Sequence, residues 1–408
     1  MEKGVLVELG VMCRAEPSAS ARVSYLVSPA RSGQRILFPA RICLLQCAQL
    51  GGVNGPSTWQ SHYSGDSFIS WISGDSIRPS SPLDHNYSSH SRKTCTRTQS
   101  CSCKSASSSG NMEYLTYIRN KALAIFVRYV VARDLGTIQT HQDEVIHILS
   151  RDAGRTIKAH LYHSKTAKPT PIILNFHGSG FIIPMHGTDD EFACRIAKDT
   201  DYAVLDVSYR LGPEYPHPAA PNDVEDAVKW VLSQPGEFDL SRVAISGFSA
   251  GANMALIAAS VFFPKGTFSQ VIAVYPPTDL DKDSNLKIAP DQNGKPLPAW
   301  MTNVFHKCYL PAPIDLKGPT VSPSYTEADK FPDHLVFITC ARDNLCVEAE
   351  ELVAKIRAVP GKSVVHRGME ECDHGWNLKY EKGSVQERAK DEAYDLIVEA
   401  LGSRTESK

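Results

Sequence analysis

Residues 243–255 read Val-Ala-Ile-Ser-Gly-Phe-Ser-Ala-Gly-Ala-Asn-Met-Ala, a short apolar run, then Gly247-Phe248-Ser249-Ala250-Gly251, then a helix-forming stretch. A serine hydroxyl is a poor nucleophile at neutral pH. A sharp strand-to-helix turn that lifts its oxygen clear of the backbone lets a neighbouring base activate it. Gly247 and Gly251 make the crowding of such a turn possible. The turn also aims the amide of Ala250 at the place where negative charge develops on an attacked carbonyl. The chemistry this arrangement serves is acyl transfer through Ser249.

Gly-x-Ser-x-Gly alone is a weak pattern, and its context carries the weight. Upstream, Pro171-Ile-Ile-Leu-Asn-Phe176 reads as a buried strand that runs into His177-Gly178-Ser179-Gly180-Phe181. This is a variant of the His-Gly-Gly-Gly loop that supplies oxyanion donors, with Ser179 small enough to stand for a glycine. Gly178, Ser179, Gly180 and Ala250 are therefore the expected oxyanion hole. Losing one such donor costs about 2.7–4 kcal/mol of barrier lowering. Either loop by itself could be a packing device; the two in this order make that reading improbable.

Together these runs resemble the hormone-sensitive lipase group of α/β-hydrolases, which includes carboxylesterases and arylacetamide deacetylases, over roughly residues 145–400. Between the two loops, Val207-Ser-Tyr-Arg-Leu-Gly-Pro-Glu-Tyr-Pro-His-Pro-Ala-Ala220, followed by Asp223, is similar to the family's Tyr-Arg-Leu-Ala-Pro-Glu segment. Arg210 and Glu214 within it are expected to form a buried ion pair beneath the oxyanion loop, a structural role. Phe248 and Ala252 depart from the family's usual Asp and Gly, which leaves the subfamily and the substrate open.

In this group the partners follow in the order serine, acid, histidine. The resemblance implies Asp343 as the acid, at the mouth of Leu335-Val-Phe-Ile-Thr-Cys-Ala-Arg-Asp343, and His374 as the base, in His374-Gly375-Trp376. His374 would take the Ser249 proton and later give it to the leaving alcohol, while Asp343 holds the imidazole tautomer. Asp373 is a rival acid too close in sequence to bend onto its neighbour's ring. Glu348 is another, expected on the solvent face of a following helix. His366, His334, His306, His217 and His163 read as surface or packing residues.

The elements that must position these groups alternate. Strands are expected near 172–176, 203–208, 243–246, 271–275, 335–340 and 363–366, with helices at 187–199, 221–234, 250–262, 346–357 and 388–402. That alternation implies a mostly parallel sheet flanked by helices, with loop-borne catalytic groups at the carboxyl ends of the strands, and the resemblance implies that it is an α/β-hydrolase fold. Residues 112–408 are read as this domain. The resemblance adds a helical cap, from about 112–150 and about 280–323. An amphipathic helix over 112–133 would form one half, and Trp300, Met301, Val304 and Phe305 in the other would line the acyl pocket or pack the cap onto the core.

Other chemistries lack support. There is no His-Glu-x-x-His, no Gly-x-x-x-x-Gly-Lys-Ser/Thr and no Gly-x-Gly-x-x-Gly after a strand, so no cofactor and no metal ion are expected. Ser284-Asn-Leu-Lys287 matches a bare Ser-x-x-Lys but lies in a polar segment and reads as a loop coincidence. Cys95, Cys101 and Cys103 with His85 and His90 are irregularly spaced for zinc.

The 408-residue chain is long enough for a large core, and its formal net charge of −2 gives no electrostatic case for nucleic acid. Its 11 cysteines, an odd number, read as reduced thiols in a reducing compartment, hence cytoplasmic. Residues 1–111 are Ser- and Cys-rich towards their end, without sustained periodicity, and are expected to be disordered; translation from Met112 is an alternative start. No stretch is apolar enough to span a bilayer, and surface attachment through 112–133 stays open. The expected partner is a small-molecule ester. The leading function is a serine carboxylic ester hydrolase; a lyase using the same pocket on a small natural product, or a ligand-binding receptor, are the alternatives. Retention of His374 counts against the receptor.

Overall fold

The computed structural model describes residues 108–402. The expectations for residues 1–107, including the Cys95, Cys101 and Cys103 alternative, lie outside the described residues.

Eight strands form one sheet: β1 (Glu144–Leu149), β2 (Thr156–Tyr162), β3 (Thr170–Phe176), β4 (Ala203–Val207), β5 (Phe238–Phe248), β6 (Gln270–Val274), β7 (His334–Cys340) and β8 (Ser363–Met369). Their order is β1-β2-β4-β3-β5-β6-β7-β8, parallel from β4 to β8 and antiparallel at the β1-β2-β4 edge. The helices are α1 (Ser108–Leu135), α2 (Asp190–Asp199), α3 (Ala219–Leu232), α4 (Ala250–Ile257), α5 (Ala299–Tyr309), α6 (Cys346–Arg357) and α7 (Val385–Gly402).

Every residue of β3 is buried, as a strand covered on both faces must be. Alternation sorts its side chains: Ile172, Leu174 and Phe176 join one core layer with Val224 and Val228 of α3 and Leu352 and Ile356 of α6. Ile173 faces the other layer, with Phe192 and Ile196 of α2 and Tyr394 and Ile397 of α7. The helix expected over 250–262 loses its α geometry at Ile257 and ends in a π turn, Ala258–Phe262, closed by a Phe263 amide bond to the Ala258 carbonyl.

The sequence places residues 112–150 together in the cap, and the structure divides them. Helix α1 packs against α5, with Ala124 and Val127 buried against Val304, Phe305 and Cys308. Residues 144–149 instead form the outer sheet strand β1, in register with β2 from Glu144 opposite Leu161 to Leu149 opposite Thr156. A six-residue edge strand with mostly exposed side chains has little hydrophobic alternation to announce it. No helix among the described residues is long and apolar enough to cross a membrane.

Candidate active site

Three parallel strands deliver the reacting groups to one end of the sheet. β5 ends at Phe248, and Ser249 follows at φ 50°, ψ −118°, before α4 begins at Ala250. A non-glycine residue at positive φ is strained, and packing on both sides holds this one. A methyl group on Gly247 would lie 2.3 Å from the Gly251 carbonyl carbon, and one on Gly251 would lie 1.8 Å from the Phe176 carbonyl oxygen. Both positions need glycine for close approach, not for dihedral freedom. Gly251→Ala is thus expected to abolish soluble, active protein; normal yield and normal labelling of Ser249 by an organophosphate would show that the turn can relax.

β7 leads into Asp343 and β8 into His374. His374 Nε2 lies 2.9 Å from Ser249 Oγ, and His374 Nδ1 lies 2.7 Å from Asp343 Oδ2. Asp343 is buried, and its Oδ1 accepts the Leu345 amide at 3.0 Å, which fixes the carboxylate plane. The His374 ring packs against Tyr275, with centroids 4.7 Å apart. Tyr275 sits at φ 40° just after β6 and donates its hydroxyl to Asn377 Oδ1 at 2.6 Å. The structure therefore brings Ser249, Asp343 and His374 into one chain of contacts. Tyr275 was not singled out from sequence, although an aromatic residue closing an apolar strand ahead of Pro276-Pro277 is a usable signal.

The rival acids go elsewhere. Asp373 Oδ1 accepts the Lys295 amide at 2.6 Å. Glu348 does not face solvent as expected: it is 2% exposed and pairs with Lys287, whose Nζ lies 2.6 Å from Glu348 Oε2. Glu348 Oε1 also accepts the Thr278 amide at 3.0 Å, and Lys287 donates to the Asp279 carbonyl at 2.6 Å. Within the Ser284–Lys287 segment, Lys287 is thus a buried anchor for the loop after β6, while Leu286 between the two is exposed. Burial raises the Glu348 pKa against the pull of Lys287. Among the histidines set aside, His306 is lowered to about 4, first by burial and then by Lys287, and His217 is lowered by burial while facing the Thr320 carbonyl.

The oxyanion loop lies over the serine. A methyl group on Gly178 would come within 3.6 Å of Ser249 Cβ. Among the described residues no protein acceptor takes the amides of Gly178, Ser179 or Gly180, and the Ala250 amide, first in α4, has no acceptor inside its helix. Ser179 does more than stand for a glycine. Its Oγ accepts from the Phe181 amide at 2.9 Å and donates to the Tyr209 oxygen at 2.7 Å, while the Tyr209 hydroxyl donates to the His177 carbonyl at 2.6 Å. The His177 ring stacks on Tyr209 and contacts the Gly178 carbonyl at 2.8 Å; burial lowers its pKa to about 3, so it stays neutral. His177 and Tyr209 hold the loop from below.

The expected Arg210–Glu214 pair does not form. Arg210 bonds Asp223, at 2.8 Å from Oδ1, and Asp152 at 2.6 Å. Glu214 is held by Arg128 of α1 at 2.7 Å, and Arg128 also donates to the Ile182 and Gly212 carbonyls at 2.7 and 2.8 Å. A helix remote in sequence thereby clamps the segment that follows the oxyanion loop. Arg128→Leu leaves Glu214 and two carbonyls without their donor and is expected to cost about 1–3 kcal/mol, read by thermal unfolding. Lysine cannot restore a planar fork on several acceptors, so Arg128→Lys should recover only part of the loss.

In α5, Val304 and Phe305 are buried and Met301 packs beside them, whereas Trp300 is 55% exposed. Phe305 presses on the oxyanion loop, since a methyl group on Gly180 would lie 2.5 Å from its ring. Ser249 is 9% exposed.

Residues 173–378 match the pattern of a family described as alpha/beta hydrolase fold. The chain is 28% identical over 255 residues to carboxylic ester hydrolase LipN of Mycobacterium tuberculosis, covering 60% of this chain and 67% of that one. It is 26% identical over 273 residues to ethyl acetate hydrolase of Pseudomonas putida, covering 63% and 81%. The structure of an esterase from Pyrobaculum calidifontis superposes with a TM-score of 0.60 at 24% identity, over 73% of this chain and 98% of that one, a likeness of fold.

Proposed function

The chain belongs to the alpha/beta hydrolase fold family, in its hormone-sensitive-lipase-like group, and from that premise we propose that it hydrolyses small carboxylic esters through an acyl-enzyme on Ser249. The observation that carries the reading is the contact chain Ser249 Oγ–His374–Asp343 beneath amides that no acceptor among the described residues takes.

In this reading His374 Nε2 takes the Ser249 proton as Oγ attacks the ester carbonyl carbon. The carbonyl oxygen becomes an oxyanion, received by the amides of Gly178, Ser179, Gly180 and Ala250. His374 then protonates the departing alkoxide, and the ester oxygen leaves as an alcohol. Water, deprotonated by His374, attacks the acyl-serine carbonyl, the bond to Ser249 Oγ breaks, and His374 returns the proton to Oγ as the acid is released. Asp343 keeps Nδ1 protonated and steadies the imidazolium. Helices α1 and α5 act as the cap, with Phe305 bounding the acyl side close to Gly180. That narrow approach to a serine only 9% exposed favours short acyl chains.

The test is hydrolysis of p-nitrophenyl esters from acetyl to dodecanoyl, with an organophosphate probe mapped by mass spectrometry. Turnover that peaks at short acyl groups and label on Ser249 are the expected results. A folded protein that turns over none of these esters and leaves Ser249 unlabelled sinks the reading.

A further inference from the structure

We propose that His160, His186 and Asp206 form a binding site for one divalent transition-metal ion. Two adjacent strands and a loop build it. His160 of β2 stands directly opposite Asp206 of β4 in the antiparallel ladder, and His186 arrives from the loop between β3 and α2. The His160 and His186 rings are 4.1 Å apart between centroids, and His186 Nε2 lies 3.3 Å from Asp206 Oδ2. One ring nitrogen from each histidine and one oxygen of Asp206 lie within 4.8 Å of one another.

Polar atoms in this cluster lack partners where burial makes that costly. His160 is 4% exposed, yet among the described residues neither of its ring nitrogens has a hydrogen-bond partner, and Asp206 Oδ2 has only the 3.3 Å approach of His186 Nε2. A buried polar group without a partner costs about 1–3 kcal/mol. Asp189 and Asp206 are both buried and share the Asn175 amide, at 2.9 and 3.0 Å, and among the described residues neither pairs with a lysine or arginine. A divalent cation would pair with the Asp206 carboxylate and take the unshared electron pairs of the imidazoles. Two imidazoles and one carboxylate are the donor set of zinc and its neighbours, with open positions for water. Ligation would require side-chain rotations that draw the three ligand atoms, now within 4.8 Å of one another, to bonding distance, with His186 exchanging its 3.1 Å bond to the Asp206 carbonyl for the ion.

The ion would tie β2, β4 and the 182–189 loop together. His186 also lies against His177, at 5.9 Å between centroids, so this cross-link supports the oxyanion loop from behind without touching substrate. The proposal is independent of the esterase reading, and its readout is metal content.

The full-length chain, stripped with chelator, incubated with zinc or cobalt chloride and dialysed, is expected to retain one ion per chain by inductively coupled plasma mass spectrometry. Its melting temperature should rise with zinc and fall back with chelator. The cobalt form should show nitrogen and oxygen ligation with no thiolate charge-transfer band. His160→Gln and Asp206→Asn should each lose the ion, whereas His141→Gln should keep it. His141, Asp190 and Cys194 form the other grouping of ligand atoms among the described residues. A thiolate band would assign the ion to Cys194 or to Cys95, Cys101 and Cys103, and would overturn the proposal. So would a wild-type chain that retains no ion and melts alike with zinc and with chelator, a result that needs no variant to fold.

Discussion

Ser249→Ala is expected to lower kcat for a p-nitrophenyl ester by about 10⁶, and His374→Ala by about the same factor, because the two groups act as one unit. Their separation of 2.9 Å is a single proton-transfer contact, and either half alone does almost nothing. The double variant should therefore be no slower than either single one. Residual turnover above the uncatalysed rate, about 10³–10⁴-fold, should persist from the oxyanion donors and from binding alone. Alanine keeps the Cβ that the turn already accommodates, so thermal unfolding of Ser249→Ala should match the parent. Steady-state kinetics on the four proteins is the check. Additive losses, or a Ser249→Ala variant that keeps more than a tenth of the activity, would exclude Ser249 as nucleophile.

Asp343→Asn is expected to lower kcat by about 10⁴ with KM little changed. The carboxylate accepts from His374 Nδ1 at 2.7 Å while its other oxygen is held by the Leu345 amide, so an asparagine at this site turns its amide nitrogen to the ring. That favours the tautomer with the proton on Nε2, which cannot accept from Ser249. Asp373→Asn is the control, because its carboxylate holds the Lys295 amide while His374 Nδ1 is held by Asp343; kcat there should stay within a few-fold of the parent. Glu348→Gln, in contrast, should lower the melting temperature, since it leaves the buried Lys287 without its counter-charge. Loss of kcat on Asp373→Asn instead of Asp343→Asn would move the acid to Asp373.

The residues placed wrongly from sequence share a cause. Glu348 reads as an exposed position one turn into a helix; its burial depends on Lys287, which a separate loop brings beneath α6. Arg210 and Glu214 sit four apart in one segment and look like partners, yet each is claimed from outside it, by Asp223 and Asp152 and by Arg128. Charge type is readable along a chain, but the identity of a partner is set by which elements the fold lays side by side. Strand β1 escaped for a related reason, since an edge strand buries one face at most and carries a weak pattern.

What the sequence by itself determined is local: a buried apolar strand must end where the polar and glycine-rich residues begin, so β3, β5 and β7 were legible as strands that each hand over to a polar loop. The same locality placed Ser249 on its strand-to-helix turn, because crowding there demands glycine at 247 and 251. Only the tertiary structure decided which distant groups meet. It set His374 on Ser249, stacked Tyr275 against the imidazole, tied Ser179 to Tyr209, and lined His160 up across the ladder from Asp206. Those contacts join residues far apart along the chain, and their existence rests on strand order and register, which no stretch of neighbouring residues encodes.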